Sequence, residues 1–247
     1  MTPFVGTDIA LWSTYLFIAF FVVLVLWLHR ESKVEGYPLT PDAHDRRSIK
    51  IIGYPAPPSA RSFHLAGGET VTVKDGRPDT RPLAMMQPQL YPGTPFVPTG
   101  NPMADGVGPA AWAERADKPD VTLHGAPRIV PLRIDGAFHI ATDDPNPIGM
   151  SVVGGDGKVA GTISDAWVDR SEYLLRYYEV TLADGGRKVL LPVPFTVING
   201  DARTATVKSI FAEHFAGVPA TKSPDQITRL EEDKISGYYG GGTLYAS

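Results

Sequence analysis

Twenty consecutive residues, Ile9 to Leu28, carry no formal charge. A helix of that length spans roughly 30 Å, about the hydrocarbon thickness of a bilayer. From Leu16 to Leu28 the run is almost wholly Leu, Val, Ile, Phe and Trp. Trp12 and Trp27 stand near its ends, where an amphipathic ring favours the membrane interface. A cleaved signal peptide would have a basic start, a shorter apolar stretch and a small-residue cleavage site. Here Met1 to Asp8 holds no Lys or Arg, and His29-Arg30-Glu31-Ser32-Lys33 follows the run. Residues 1–33 are therefore expected to form a retained transmembrane anchor. All 23 Lys and Arg residues lie beyond Leu28. The positive-inside rule then puts the N-terminus outside and the remaining chain in the cytoplasm. Ser13, Thr14 and Tyr15 are the polar side chains of the span. They either meet a partner helix or lie near the interface.

Residues 34–110 hold 13 of the 23 prolines. Pro55, Pro57 and Pro58, then Pro88, Pro92, Pro95 and Pro98, block helices and central strands. Thr70 to Lys74 before Asp75-Gly76 is read as a strand and turn. The segment is unusually apolar for a linker, with Ile51, Ile52, Tyr54, Phe63, Leu83, Met85, Met86, Leu90, Tyr91, Phe96 and Val97. Extended, hydrophobic chain of this kind is expected to lie against another protein's surface; the alternative is a loosely ordered linker.

Residues 111–247 are read as a mainly-β cytoplasmic domain. Met150 to Val153, the turn Gly154 to Gly157 and Lys158 to Ile163 form a hairpin pattern. Tyr173 to Leu182 and Lys188 to Pro192 form a second around Asp184-Gly185-Gly186. Arg128 to Leu132, Ala166 to Val168, Phe195 to Ile198 and Thr204 to Ile210 are further strands, suggesting a compact barrel or sandwich. A short C-terminal helix is expected to start at Ser223-Pro224-Asp225, continue over 226–235 and stop at Gly237.

The chain has no cysteine, so disulfides and thiolate chemistry are excluded. The six histidines form no H-E-x-x-H pair. Gly154 to Val159 lacks the Walker pattern, and no G-x-S-x-G is present. An enzyme is not expected. From residue 128 onward there are 12 basic and 15 acidic residues, which disfavours a nucleic-acid partner.

The order of several segments is distinctive. Glu35-Gly36-Tyr37-Pro38-Leu39 follows the helix, and Pro98 to Met103 and Asp105 to Ala110 come next. Asp144-Pro145-Asn146-Pro147-Ile148-Gly149 and Asp165-Ala166-Trp167-Val168-Asp169-Arg170-Ser171-Glu172 follow. Leu230 to Lys234, Tyr238-Tyr239, three glycines and Leu244-Tyr245-Ala246 close the chain. Over its whole length the sequence resembles the H subunit of the photosynthetic reaction centre of purple bacteria. The part from Gly154 to Pro192 is similar to a PRC-barrel.

That resemblance implies a subunit of an intracytoplasmic photosynthetic membrane that binds no pigment and no metal. It caps the L and M subunits and conducts protons to the secondary quinone. Bacteriochlorophyll, bacteriopheophytin, quinones and non-haem iron are expected in those partners. Membrane lipids are further contacts, and a cytochrome subunit and a light-harvesting ring can share the complex. Glu172 matches the family's relay glutamate. Asp169 is assigned to share a proton or hold water, and Arg176 to keep a neighbouring carboxylate ionised. His124 matches a proton-intake position at the surface, with Asp120 beside it. Ala126 and Thr122 replace the partners that a metal site there would need. Glu231, Glu232 and Asp233 are either outer proton antennae or an acidic helix end facing water. By spacing alone, Asp165, Asp169 and Glu172 also fit a turn-rich acidic surface. The rival reading is a membrane-tethered PRC-barrel adaptor for another cytoplasmic partner.

Overall fold

Asp8 begins the first helix: its Oδ1 accepts hydrogen bonds from the amides of Ala10 and Leu11, at 3.1 and 3.2 Å. A computed structural model describes residues 8–34, 53–65, 68–73, 81–89, 91 and 94–246. The expectations for Glu35 to Leu39, Ile51, Ile52, Lys74, the Asp75-Gly76 turn, Leu90 and Pro92 lie outside the described residues.

Helix α1 runs Ile9–Glu31 without a break. None of its residues is buried within the protein, and Leu16, Phe17, Phe20 and Val23 are each at least 60% exposed. An apolar surface this large is costly in water, and the helix is long and apolar enough to cross a membrane. The Thr14 hydroxyl donates to the Ala10 carbonyl at 2.9 Å, so it is satisfied inside its own helix. Below the helix, Lys33 donates to the Pro55 carbonyl at 2.7 Å, and Arg61 pairs with Glu31. Strands β1 (Arg61–His64) and β2 (Thr70–Val73) pair antiparallel, so the strand read at Thr70 is present.

The second unit spans 83–88 and 95–247. It opens with a small ladder of β3 (Met85–Met86) and β4 (Val97–Pro98), then helix α2 (Pro102–Asp105). Its body is a seven-stranded sheet of β5 (Ile129–Pro131), β6 (Ser151–Val153), β7 (Val159–Asp169), β8 (Leu174–Leu182), β9 (Lys188–Pro192), β10 (Thr196–Asn199) and β11 (Thr204–Val207). The order is β10-β11-β6-β7-β8-β9, with β5 alongside the far end of β7. A single turn, Val193–Phe195, joins β9 to β10. These are the two ends of the order, and three residues reach only about 10 Å, so the sheet must curl. Register shifts in β7 supply the bend. Both expected hairpins form, and Gly157 (φ +76°) and Gly185 (φ +89°) take the left-handed backbone their turns require.

Two strand expectations need correction. The piece read at Ala166 to Val168 is the second half of the eleven-residue β7. Strand β7 continues through Asp165, which pairs with Glu179 of β8 after a register shift next to Ile163, and Arg133 reaches the Asp165 side chain at 3.0 Å. The strand read over Thr204 to Ile210 ends at Val207. Arg133 also reaches Glu179 (2.8 Å) and Asp225 (2.9 Å), while Lys188 holds Glu179 at 2.7 Å. Burial pushes the Glu179 carboxyl up, but the bonds from Lys188 and Arg133 outweigh it and hold it low. The core around this network contains Trp167, Met150, Ile163, Leu191, Ile210, Phe215 and Tyr239. Burying each such side chain contributes about 1.5–3 kcal/mol.

The C-terminal helix α3 runs Arg229–Tyr245, later at both ends than expected. Ser223 only closes a turn onto Asp225, since Arg133 pins the Pro224 carbonyl and Asp225 outside the helix. The cap is Thr228, which with Glu231 forms a reciprocal capping box. Nor does Gly237 stop the helix. A Cβ there would stand 2.7 Å from the Ala110 carbonyl oxygen, and at Gly241 and Gly242 it would collide with Ala110 and Ile210. Here the glycines let α3 lie against the backbone at 109–110 and 209 and against the Ile210 side chain, which offsets their poor helix propensity.

Candidate functional site

Antiparallel pairing of β5 with β7 sets Ile129 opposite Asp169. The preceding residue, Arg128, is thereby brought against the end of β7, where its carbonyl accepts from the Arg170 amide at 2.9 Å. Its guanidinium meets Asp169 at 2.8–2.9 Å through Nε and Nη2. The same group reaches Asp120 at 3.3 Å and pairs with Glu172. Arg176, on β8, reaches Asp169 at 3.3 Å and Glu172 at 3.5 Å. Three carboxylates thus converge on two arginines.

Asp169 organises the turn that carries Glu172. Its side chain is fully buried, and its Oδ1 accepts from the amides of Ser171 (2.9 Å) and Glu172 (3.0 Å). Tyr173 closes the turn in the left-handed region, with φ +56°. Burial pushes the Asp169 carboxyl up, but the Arg128 bond and the two amides outweigh it and hold it below the ordinary value. Asp169 is therefore a fixed anion at neutral pH, which favours ordering its neighbours over sharing a proton. Asp169 in turn holds the Arg128 guanidinium far above any titration range. Glu172 is different: its side chain is 47% exposed.

A small hairpin supplies the other side. Its feet are Asp120 and Arg128, joined by the Arg128 amide to the Asp120 carbonyl at 2.8 Å. Val121 bridges Pro127, and the Thr122 amide donates to Ala126 at 2.8 Å. His124 sits exposed at the tip. It lines an open depression of about 850 Å³ with His139, Phe138 and Tyr173. Among the described residues no group of three or more His, Asp or Glu is placed to hold a metal ion.

The five residues singled out in the sequence thus lie on one hairpin, one turn and one strand end. Arg128, which ties Asp120, Asp169 and Glu172 together, was missed. No spacing rule reveals it, because Asp169 and Glu172 are 41 and 44 residues away. The acidic triplet of α3 splits three ways, since successive helix residues point about 100° apart. Glu231 is buried, caps Thr228 and accepts from the Lys222 amide at 2.7 Å. Asp233 accepts from the Ala113 amide (2.6 Å) and Arg115 (2.9 Å). Glu232 accepts from the Tyr177 hydroxyl at 3.1 Å.

A family model described as the photosynthetic reaction centre, H-chain N-terminal region, matches residues 2–134. A second, the PRC-barrel domain, matches residues 142–213. The first covers more than half of the 247 residues, and the second covers the sheet from β6 to β11.

Proposed function

The chain belongs to the photosynthetic reaction centre H-chain family, and on that premise we propose that it caps the L and M subunits and conducts protons to the secondary quinone. The H-chain family is a structural, non-pigment-binding subunit rather than an enzyme family, and one apolar helix fits a single-pass membrane protein. The N-terminus faces the periplasm and the three sheets lie on the cytoplasmic side, following the charge asymmetry about α1. Tyr54, Leu83 and Phe96 are 81, 63 and 56% exposed; the L and M subunits cover this apolar chain in the assembled complex. Bacteriochlorophyll, bacteriopheophytin, quinones and non-haem iron belong to those partners.

The observation that carries the proton reading is the convergence of Asp120, Asp169 and Glu172 on Arg128 and Arg176. A quinone reduced inside a protein draws its protons through groups that can be loaded and emptied. His124 exchanges protons with water at the surface. Glu172, the half-exposed member, passes them inward. Asp169 stays ionised and positions the turn, and the arginines set the charge around Glu172. The subunit role is tested by affinity isolation of the tagged chain from detergent-solubilised membranes. Bacteriochlorophyll absorbance in stoichiometric yield supports it. A colourless preparation contradicts it and favours a membrane-tethered PRC-barrel adaptor.

A further inference from the structure

A cavity of about 550 Å³ lies between β8 and α3, walled by Asp120, Arg176, Tyr177 and Glu232. It is open to solvent and large enough for several waters. Asp120 is common to this cavity and to the arginine cluster, and so is Arg176. Of the three adjacent acids on α3, only Glu232 is not committed to a backbone amide or an ion pair. Its one hydrogen-bond donor is the neutral Tyr177 hydroxyl.

We propose that Glu232 is the proton-accepting carboxyl of this cavity, taking a proton from its water and releasing it on the Asp120 side. This rests on the proton-conducting reading above and adds a second loading point, separate from His124. The step moves one proton onto a carboxylate oxygen and one off again, with no other bond changed. The charged and titratable groups around it are Arg176 and the neutral Tyr177 on β8, Asp120 and Arg128 on the hairpin, Arg115 on the preceding segment, and Arg229 and Asp233 on α3. Burial raises the Glu232 carboxyl above the ordinary glutamate value, as does Asp120. The Tyr177 bond, Arg176 and Arg128 act in the opposite sense, and burial prevails. A carboxyl balanced in this way changes protonation when nearby charge changes.

The test uses the assembled, quinone-containing complex. Light-induced infrared difference spectra follow the protonated-carboxyl stretch, and an indicator dye follows proton uptake across pH. In Glu232→Gln one carboxyl band is lost, with the uptake it accounts for. In Tyr177→Phe the band is retained and its midpoint moves to higher pH, because a donor to the ionised form is gone. In Asp120→Asn the midpoint moves lower. Asp233→Asn leaves the band in place. Identical spectra and uptake in wild type and Glu232→Gln overturn the proposal. If Glu232→Gln does not assemble, an unshifted midpoint in Tyr177→Phe overturns it instead. Glu172→Gln separates the two claims: unchanged electron transfer there removes the onward route, while the Glu232 band remains a test of Glu232 alone.

Discussion

Arg128 holds a buried anion and a half-exposed one with the same guanidinium. Replacing it with Gln leaves Asp169 short of its main partner in a fully buried place. Stranding a buried charge costs about 3–5 kcal/mol; Arg176 and two amides remain on Asp169, so the low end is expected. Denaturant unfolding measures it, and adding Asp169→Asn to Arg128→Gln should restore part of the loss. The pH dependence has a definite sign. Asp169 is held low, so its stabilisation is complete above the ordinary aspartate pKa of about 3.9 and disappears as pH falls through its lower folded value. Glu232 is held high, so its ionisation opposes folding as pH rises from about 4.3, the ordinary glutamate value, through its folded value. The stability gap between wild type and Asp169→Asn should therefore close in acid. Glu232→Gln should gain on wild type as pH rises through the same titration. Family resemblance singled out Glu172, Asp169, Asp120, Arg176 and His124, and the structure brings the first four into one ion-pair cluster. Arg128 was not legible, because cross-strand pairing has no signature in local spacing.

Helix α3 shows what a glycine means when the environment is backbone. On an exposed helix, Gly→Ala is stabilising by about 1 kcal/mol. At Gly242 the new methyl would meet Ile210 and the Ser209 carbonyl, so Gly242→Ala should instead destabilise by about 1–3 kcal/mol. Thermal unfolding reads the sign directly; a stabilised variant would mean α3 does not lie against residues 209–210. The same fact explains why the helix outran its expected end. Gly237 reads as a stop signal in one dimension, and only the Ala110 carbonyl beside it gives it another purpose. The start was misread for a related reason. Ser223-Pro224 has capping chemistry, but Thr228 with Glu231 three residues on is the stronger reciprocal pair. The hairpins around Gly157 and Gly185 were legible because their turns need positive φ, a local property. The continuity of β7 through Asp165 was not, since it depends on the register-shifted pairing of Asp165 with Glu179 on β8.

At the scale of the whole molecule, α1 is apolar on every side and unburied, which was plain from twenty uncharged residues. Val22→Arg near its middle should cost about 2.5–3.5 kcal/mol in insertion and appear as loss of the chain from the membrane fraction. On the proposed reading the proton role belongs to the assembly, with the quinone acceptor in the partner subunits. Flash-induced electron transfer in complexes carrying Glu172→Gln addresses it most directly. The first electron should reach the secondary quinone at the wild-type rate. The second, which waits for a proton, should slow at least about tenfold, equivalent to about 1.4 kcal/mol of added barrier. A second transfer at wild-type speed, with the variant chain present in full amount, would contradict proton delivery through the arginine-clamped cluster.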